Sequence, residues 1–503
     1  MRRTPVPMLA ALVLVPTAVR AETYRVGTSA AAQYRQLAEL PRLVPGDIVE
    51  IEGGVTYSGG HRFDDAGSAA SPIVVRGVGT TRPRISGGGD TLEAAGDHYV
   101  FENLDLSGGT GRCFFHHAHD ITLRDSVVHD CPQHGILGAD NDSGSFLLER
   151  VEVHHCGQGD GDHQIYMATD EVAHPGSVFR MQYCWVHDAN GGNNVKSRAE
   201  RNEIYANWIE GAYYHELELI GPDPVGGVPE NQAREDSDVV GNVFVKRGSN
   251  QGFAAFRFGG DATGQSRGRY RFAFNTVIVA GGTGAVFRLF DALESVEMHS
   301  NVFARRGGGP VNMLREAEAN WTQGRAVAGT NNWVSAGSTN VPPEWTGTTT
   351  GADPGLVQID DLSALDLRPA GTGSPVVDAG LAPPPAFSGH PFPSPLGVPA
   401  FSPVHGVGST ARAVVGTIDR GAYEHGTALP PPPPPPPPDP GGDPGPGSVS
   451  AGCGSGGAAV GGGALLALAA LLRAMARRAG QGPARARAGR PARRQPRAGS
   501  RAR

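Results

Sequence analysis

The sequence of 503 residues contains little that predicts α-helix. Between residues 22 and 428 only residues 30–40 have a convincing amphipathic pattern, and the chain holds 73 glycines. It also lacks a glycine-rich phosphate loop and a serine-hydrolase nucleophile elbow, two motifs that place a phosphate or a nucleophile at the start of a helix. These absences exclude a helical bundle and argue against nucleotide-dependent or serine-hydrolase chemistry.

Acidic residues are absent from both ends of the chain. None occurs in residues 1–21 or 452–503, whereas three of the 43 basic residues lie in the first segment and 11 in the second. The part between them therefore has 29 basic and 50 acidic residues, a net charge of −21. An acidic surface of this kind argues against nucleic acid as a partner.

The N-terminus has the pattern of a secretory signal. Arg2 and Arg3 precede a short apolar run at residues 8–15, and Ala21 offers a small residue for cleavage. The run is too short to span a bilayer, which takes about 20 apolar residues. We therefore predict a signal peptide over residues 1–21 and an exported protein.

The C-terminal part begins with a spacer that cannot fold into a core. Residues 430–438 are an unbroken proline run, and Asp, Gly and Pro dominate the sequence from there to Ser448. Proline-rich segments of this kind are stiff and extended. We therefore predict a linker over residues 429–450, following a folded domain over residues 22–428.

Beyond the linker the chain resembles a surface-sorting signal. Cys453 precedes an apolar stretch at residues 454–472, which is just long enough to span a membrane, and arginines follow from Arg473 onwards. This combination is similar to the sorting tags of many myxobacterial surface proteins. It implies a sorting or transmembrane segment over residues 451–478, a disordered arginine-rich tail over residues 479–503, and a protein at the cell surface or outer membrane, or released from it. A single-pass anchor without processing is the alternative.

A short strand-like phrase recurs through the middle of the chain. Its fourth residue falls at positions 106, 128, 153, 186, 209, 244, 277 and 303, so the steps between copies run from 22 to 35 residues. One turn of a β-helix needs about three short strands and three bends, which fits the shortest steps, and longer steps add a loop of about ten residues. The repeat predicts an all-β fold, a right-handed parallel β-helix with loop insertions.

Asparagine is the second residue of the phrase in four copies. Stacked asparagines at an interior bend can hydrogen-bond amide to amide along the axis. We therefore predict stacked parallel strands from about residue 46 to residue 310, with one interior column formed by Asn207, Asn242, Asn275 and Asn301.

The two ends of this region resemble a known superfamily. Residues 30–40 are expected to form an amphipathic cap, and the strands that follow resemble the opening rungs of the pectate-lyase-like superfamily. Residues 374–380 and 416–424 look like its closing segments. The resemblance covers residues 24–425 and implies the fold, but that fold hosts lyases, hydrolases, epimerases and adhesins, so it does not fix an activity.

Five short segments place one large polar or aromatic residue between apolar or small ones. Because side chains alternate between the two faces of a strand, these residues should point outward from successive rungs about 4.8 Å apart. Three long steps insert loops nearby that could wall a groove for a linear polymer. The predicted outward column is Tyr166, Lys196, Glu218, Arg257 and Arg288.

The segment around Lys196, which reads Val-Lys-Ser and is followed by Asn202, resembles the catalytic-lysine rung of the family 6 polysaccharide lyases. In that family two acidic calcium ligands shortly precede the lysine, and an arginine lies one rung later. Here residues 189–194 contain no carboxylate, the next rung offers Glu218, and Arg257 comes two rungs on. The resemblance implies a lyase and leaves calcium open as a cofactor.

Elimination from a uronate needs a base, a cation that neutralises the carboxylate, and a proton donor. A lysine beside other cations has a lowered pKa and can act as the base. The residues predicted for catalysis are Lys196 as base, Arg257 or a metal as the cation, and Tyr166 or His215 as proton donor. Those predicted to bind substrate are Glu218, Arg288, Arg198 and His163.

Two further groups of residues have interpretations that the sequence leaves open. His129, His154 and His187 would stack, either as a metal site or as histidines bonded to neighbouring carbonyls. Cys131 and Cys156 occupy equivalent places one rung apart. They form either a disulfide, which an exported protein permits, or a ladder of thiols.

The favoured function is that of a surface-anchored β-helix protein that acts on or binds an extracellular polysaccharide, with uronate lyase activity as the enzymatic hypothesis. The alternative is a non-catalytic carbohydrate-binding or adhesive surface protein. In that case Lys196, Glu218 and Arg257 form only a ladder of surface ion pairs. The membrane is expected as a partner through the C-terminal segment.

Overall fold

Three long parallel sheets, named A, B and C here, surround a common core in the computed structural model. The structure describes residues 20–221, 235–247, 253–260, 266–316, 318–390, 392 and 394–428, all of which belong to one compact unit. In this part of the chain sheet A has twelve strands: β1 (Thr23–Val26), β2 (Ile48–Glu52), β5 (Ile73–Val78), β8 (Tyr99–Glu102), β11 (Ile121–Arg124), β14 (Phe146–Glu149), β17 (Val178–Gln182), β20 (Arg201–Tyr205), β23 (Asp236–Val240), β26 (Arg269–Ala273), β30 (Ser295–His299) and β34 (Val327–Thr330).

Sheet B follows sheet A in each turn of the chain. Over the described ranges its strands are β3 (Thr56–Ser58), β6 (Arg84–Ser86), β9 (Asp105–Ser107), β12 (Val127–His129), β15 (Glu152–His154), β18 (Trp185–His187), β21 (Trp208–Glu210), β24 (Val243–Lys246), β27 (Thr276–Val279), β31 (Val302–Arg305), β35 (Trp333–Ser335) and β36 (Thr349–Gly351).

Sheet C completes each turn. Its described strands are β4 (His61–Phe63), β7 (Asp90–Ala94), β10 (Arg112–His116), β13 (Ile136–Gly138), β16 (Ile165–Ala168), β19 (Val195–Arg198), β22 (Leu217–Leu219), β25 (Phe256–Phe258), β28 (Phe287–Leu289) and β32 (Leu314–Arg315). Three small two-stranded sheets lie outside this pattern: β29 (Asp291–Leu293) with β33 (Asn320–Trp321), β37 (Leu356–Gln358) with β38 (Asp366–Pro369), and β39 (Phe401–Pro403) with β40 (Ser409–Ala411).

The chain therefore visits sheets A, B and C in the same order in turn after turn, and the strands within each long sheet pair in parallel. Parallel strands joined by such crossovers wind with a right-handed sense. The prediction of an all-β, right-handed parallel β-helix is confirmed. The stacked strands extend further than predicted, from Thr23 to Gly351.

The recurring phrase marks the bend between sheets A and B. Its first residue has a left-handed backbone in all eight copies, with φ between 51° and 71° at positions 103, 125, 150, 183, 206, 241, 274 and 300. Residues other than glycine rarely adopt this conformation, because the Cβ atom crowds the backbone. The surrounding structure must therefore stabilise the bend.

The asparagines supply much of that stabilisation from the position after the bend. The predicted interior column of Asn207, Asn242, Asn275 and Asn301 is confirmed, and fully buried Asn332 extends it. Each Oδ1 from Asn242 onward accepts the main-chain N–H of the preceding asparagine at 2.9–3.0 Å. Each Nδ2 donates to a carbonyl at the end of a sheet A strand. The column thus satisfies backbone groups that the sharp bend would leave unpaired.

The segment of residues 30–40 covers the open edge of β1, as predicted for a cap, but it does not form the amphipathic helix that the sequence indicated. Only Leu37–Glu39 forms a short 3-10 helix. The N–H groups of Gln33 and Tyr34 both donate to the carbonyl of Arg25, so this segment pairs with β1 instead of with itself. The open edge of a sheet offers unpaired backbone groups, which the extended segment satisfies.

The C-terminal residues cover the outer faces of two sheets. Leu367, Val376 and Tyr423 pack with Trp208 and Trp333 of sheet B, while a second apolar cluster joins the same part of the chain to sheet A. The segments 374–380 and 416–424, expected to close the solenoid, therefore lie on its outside and add no rungs. Neither cluster includes a residue of sheet C, the sheet that presents the polar column.

Of the two alternatives left open for Cys131 and Cys156, a disulfide between them is excluded. Cys131 is bonded to Cys113, at a Cα–Cα distance of 5.8 Å, and Cys156 and Cys184 are buried thiols. Burial raises the pKa of the Cys156 thiol to about 12, so it is unreactive as a nucleophile.

The predicted stack of His129, His154 and His187 is confirmed. Successive ring centroids are 5.1 Å apart. Asp105 lies 2.9 Å from Nε2 of His129, and Glu152 lies 3.2 Å from Nε2 of His187. Side-chain carboxylates hold this stack, whereas the sequence left open a metal site or bonds to neighbouring carbonyls. Within the described ranges no group of three or more His, Cys, Asp or Glu residues is arranged to hold a metal ion.

The segments predicted at the two ends lie outside the described residues, apart from Arg20 and Ala21. The signal peptide, the linker, the sorting segment and the arginine-rich tail therefore stay predictions. Among the described residues no helix is long and apolar enough to cross a membrane.

Acid should destabilise the core through its buried histidines. Burial lowers the pKa of His116, which stacks on Phe146, to about 4. The folded pKa lies below the unfolded value of about 6.5, so the unfolded chain binds the proton first as the pH falls. Between pH 6.5 and pH 4 this one group should cost about 3 kcal/mol of stability. His116→Phe and His116→Gln should both flatten the pH dependence measured by chemical denaturation. Wild-type and variant curves that stay parallel over this range would contradict the assignment.

Candidate functional site

One column of side chains runs along the outer face of sheet C. The strand register pairs Tyr166 with Lys196, Lys196 with Glu218, Glu218 with Arg257, and Arg257 with Arg288. Their neighbours along each strand are buried and face the core. The predicted column is confirmed, and the same register extends it to Arg62, Glu93, Phe115 and Leu137 on one side and Arg315 on the other.

Lys196 and Tyr166 form the centre of the column. Both side chains are half-buried, and Nζ of Lys196 lies 4.6 Å from the ring centroid of Tyr166, within cation–π range. The Tyr166 hydroxyl accepts a hydrogen bond of 2.9 Å from Nε of Arg198. An amine and a phenol are thereby held side by side on the sheet face.

Arg198, predicted to bind substrate, has a different place. Its side chain is buried, and besides the Tyr166 hydroxyl it donates to the carbonyl of Gly221. A buried guanidinium cannot contact a polymer on the sheet face. Arg198 is therefore a positioning residue that orients the Tyr166 phenol.

Glu218, also predicted to bind substrate, is buried although it belongs to the outward column. Its carboxylate accepts hydrogen bonds from Arg257 on one oxygen and from the Asn193 amide on the other. Burial by itself would raise the pKa of Glu218, but Arg257, His215 and Lys196 outweigh it and hold the pKa below its usual value. Glu218 is therefore ionised and holds Arg257 in the column.

Two arginines follow on the next rungs. The guanidinium carbons of Arg257 and Arg288 lie 4.0 Å and 4.4 Å from the ring centroid of Phe290. Arg288 also donates to Glu318 at 2.9 Å. Both guanidinium groups keep part of their surface exposed, so this end of the column presents positive charge to solvent.

A row of stacked residues borders the column at the bend between sheets B and C. Nδ1 of His134 accepts the N–H of His163, and Nδ1 of His163 accepts the N–H of Asn193, both at 3.0 Å. Both rings must therefore carry their proton on Nε2. Burial lowers the pKa of His134 to about 4 and that of His163 to about 3, with the charge of Lys196 contributing in both cases. His163, predicted to bind substrate, is a buried, neutral member of this row.

His215 is not placed to donate a proton to a bound polymer. It is fully buried, its Nδ1 donates to the carbonyl of Ala254 at 2.7 Å, and burial lowers its pKa to about 4. The adjacent Glu216 points into the core, where it accepts a hydrogen bond of 2.6 Å from Asn194. The burial and bonding of His215 therefore contradict the proton-donor role predicted for it.

The residues around Lys196 do not fit calcium. This cation takes six to eight oxygen ligands. Glu218 is the carboxylate of the neighbouring rung, and its two oxygens already accept from Arg257 and Asn193. The column offers cations in that place, so no step of the chemistry is assigned to calcium.

Sequence reasoning missed three residues that shape the site. Asn193 fixes Glu218, His134 begins the row at the bend, and Phe290 separates the two arginines. The sequence does indicate Phe290, because it directly follows the strand that contains Arg288 in the run Phe-Arg-Leu-Phe at residues 287–290. Asn193 and His134 lie in bends between strands, where side chains do not alternate with a period of two, so no sequence pattern indicates them.

Comparison with known proteins gives similarity of fold only. No protein-family model and no curated protein matches the chain. The chain is similar to the solved structure of pectate lyase Pel9A, with 12% identity over 81% of this chain and 98% of that chain, and a TM-score of 0.48. It is similar to an alginate lyase from Paenibacillus sp. str. FPU-7, with 17% identity over 61% and 97% and a TM-score of 0.31. It is also similar to the PL6 family alginate lyase AlyGC, with 12% identity over 68% and 57% and a TM-score of 0.35. These values carry no argument about chemistry, which rests on the site itself.

Proposed function

We propose that the protein cleaves an extracellular uronate-containing polysaccharide by β-elimination at Lys196. The observation that carries the proposal is the pairing of Lys196 with Tyr166, where the amine lies 4.6 Å from the centre of the ring. The pair lies on sheet C, the long sheet whose outer face neither C-terminal apolar cluster covers. An amine and a phenol side by side are a base and a proton donor of the kind that elimination needs. The column that contains them suits a linear polymer that lies along the solenoid axis.

In this proposal Lys196 acts in its neutral form, removes the proton from C5 of a uronate and becomes an ammonium ion. The electron pair of that C–H bond forms the double bond between C4 and C5, and the bond from C4 to the glycosidic oxygen breaks. Tyr166 donates its hydroxyl proton to the departing oxygen, and Arg198 stabilises the phenolate that remains. The products are a new unsaturated end on one fragment and a free hydroxyl on the other.

The uronate carboxylate must be neutralised for its neighbouring proton to become acidic. The strand of Arg257 lies two rungs from that of Lys196, about 9.6 Å along the axis, but its guanidinium reaches back to the carboxylate of Glu218 on the rung between them. Arg257 is the cation assigned to this task. A uronate in the adjacent position along the polymer would meet Arg288. The positive end of the column therefore favours a polymer with several carboxylates over one with a single charge.

A second candidate function is carbohydrate binding without catalysis. The observation that favours it is the bond between Glu218 and Arg257, which already neutralises the cation assigned to the substrate. In this case the column is a ladder of ion pairs, and the sheet face is an adhesive surface.

Export and attachment to the cell surface are part of the proposal. They are supported by the sequence patterns at the two ends of the chain, namely the charged and apolar start and the cysteine, apolar and arginine series after residue 450. A polymer outside the cell would then be within reach of the column.

The two functions differ in what the protein does to uronate polymers. We expect the wild-type protein to raise the ultraviolet absorbance of at least one polymer in a panel of polygalacturonate, alginate, hyaluronan, chondroitin and heparosan, because each elimination creates a conjugated double bond. Neutral xylan and dextran serve as controls and should show no change. Binding of a panel member without any rise in absorbance would leave the adhesive function in place of the lyase.

A further inference from the structure

A cavity of about 340 Å³ opens at the N-terminal end of sheet C. It lies between the segment of residues 40–43 and β4, the first strand of this sheet. Its volume falls within the range of small-molecule binding sites. The charged and polar side chains among its lining residues are Arg42, His61, Arg62, Asp64, Asp65 and Tyr99.

The cavity has a fixed wall. Arg42 donates to one oxygen of Asp65 through Nε and a terminal nitrogen, at 2.9 Å and 2.8 Å, and the N–H of Leu43 donates to the other oxygen at 2.7 Å. The segment that closes the cavity is therefore anchored to the end of β4. Among the described residues no α-helix covers this end of the solenoid, and the space beside β4 stays open.

The charges around the cavity are already paired with one another. Arg42 binds Asp65, while Arg62 donates to both Asp64 and Glu93. The cavity lining thus has two positive and two negative side chains and no net charge that would attract an ion. The cavity therefore favours a neutral ligand.

Two neutral polar side chains at the cavity are not committed in this way. The hydroxyl of Tyr99 is fully buried and makes no hydrogen bond to any residue that the structure describes, and burial raises its pKa, so it keeps its proton and can donate. His61 makes no hydrogen bond through its ring within the described residues. Burial lowers its pKa, so the neutral ring can both donate and accept. A buried hydroxyl without a partner is unusual, since such groups are normally satisfied.

Apolar side chains complete the lining. Leu40, Pro41 and Phe63 offer carbon surface, and the ring of Phe63 meets that of His61 at 4.5 Å. Uncommitted hydroxyl and imidazole groups together with apolar walls match a sugar ring, which has hydroxyl groups around its edge and C–H groups on its faces.

We propose that this cavity is a second saccharide site, which binds one neutral pyranose unit through Tyr99 and His61. It goes beyond the elimination chemistry proposed above and does not depend on it. The register places Arg62, at the mouth of the cavity, five rungs from Lys196, about 24 Å along the column. Phe115 and Leu137 occupy intermediate rungs and give the space between the two sites an apolar floor. A single polysaccharide chain on sheet C can therefore reach both sites.

The test uses the full chain and monosaccharides as probes. Glucose, galactose, mannose, xylose and galacturonate are titrated separately in saturation-transfer NMR. At least one neutral sugar should bind, and galacturonate should bind more weakly. Tyr99→Phe removes a hydroxyl that has no partner in the fold, so it should leave stability unchanged and weaken the binding about tenfold.

Two matched variants separate the site from the rest of the molecule. Tyr270→Phe removes another fully buried hydroxyl, six strands further along sheet A, and should leave sugar binding unchanged. Leu40→Trp fills the cavity from the anchored segment and should abolish binding. Lys196→Ala should leave sugar binding unchanged even if it stops turnover, so the two proposals can fail separately. Absence of binding by every neutral sugar, equal binding of galacturonate, or binding that Tyr99→Phe does not alter would each overturn the proposal.

Discussion

Replacing Asn242 with alanine should lower the free energy of unfolding by about 3 kcal/mol or more. The side chain accepts the N–H of Asn207 and donates to the carbonyl of Ile204, both inside the core. Alanine leaves these groups buried without partners, and each such group costs about 1–3 kcal/mol. It also leaves a cavity and removes support from a left-handed bend. Chemical denaturation, followed by circular dichroism, measures the loss.

Two variants control for this effect. Asn242→Ser should recover part of the stability, because Ser126 occupies the equivalent position in an earlier rung and accepts the N–H of Leu104 at 3.0 Å. Asn141→Ala, at an exposed asparagine whose backbone is not left-handed, should change stability by no more than about 0.5 kcal/mol. If Asn242→Ala proved as stable as Asn141→Ala, the asparagine column would not stabilise the fold as argued.

Lys196→Ala should lower turnover by about 10²–10⁴-fold on whichever uronate polymer the wild-type protein cleaves. The side chain is half-buried on the outside of the sheet, so the cost in stability should be at most about 1 kcal/mol. Lys196→Arg should be as inactive as Lys196→Ala, because a guanidinium keeps its proton and cannot act as a base. Initial rates from the absorbance of unsaturated ends, together with thermal unfolding, measure both quantities.

Two controls belong to this prediction. Arg315→Ala changes an exposed cation at the far end of the same column and should leave turnover within about twofold. A double-mutant cycle of Lys196→Ala and Glu218→Gln separates catalysis from ion pairing. If positions 196 and 218 are coupled in stability alone and turnover is unaffected, the column is a structural ladder of ion pairs and Lys196 is not a base.

The fold could be predicted because its signals repeat. A parallel β-helix places equivalent residues one above another, so a phrase that recurs every 22 to 35 residues reports the rung length directly. The asparagines were informative for the same reason, since an amide ladder requires the same residue type on successive rungs. The outward column followed from period-two alternation, which needs no knowledge of the partner strand.

Partner choice could not be predicted. Glu218 has Lys196 on one neighbouring rung and Arg257 on the other, at equal spacing, and only the paths of the side chains decide that its carboxylate bonds to Arg257. Cys131 likewise had Cys156 one rung away, yet its partner is Cys113, which lies 18 residues earlier. Rung spacing gives the set of possible neighbours and does not choose among them.

The exposure of individual side chains was the second property that could not be predicted from the sequence. Arg198 and His163 are polar residues in the region of the column, but both are buried and take part in orienting or supporting the site. Their hydrogen bonds run to a phenol and a backbone amide that are distant in sequence. By contrast, composition alone marks Lys196 as unusual, since the sequence contains only two lysines, Lys196 and Lys246.

The most direct test of elimination at Lys196 is the mass of the fragments that the protein releases. A polymer from the uronate panel is digested with the wild-type protein, and the products are analysed by mass spectrometry. Elimination takes up no water, so each fragment with a new unsaturated end should be one water lighter than the corresponding hydrolysis product. Fragments that all have the mass of hydrolysis products would show a hydrolase, and a wild-type protein that releases no fragments from any polymer of the panel would contradict the lyase.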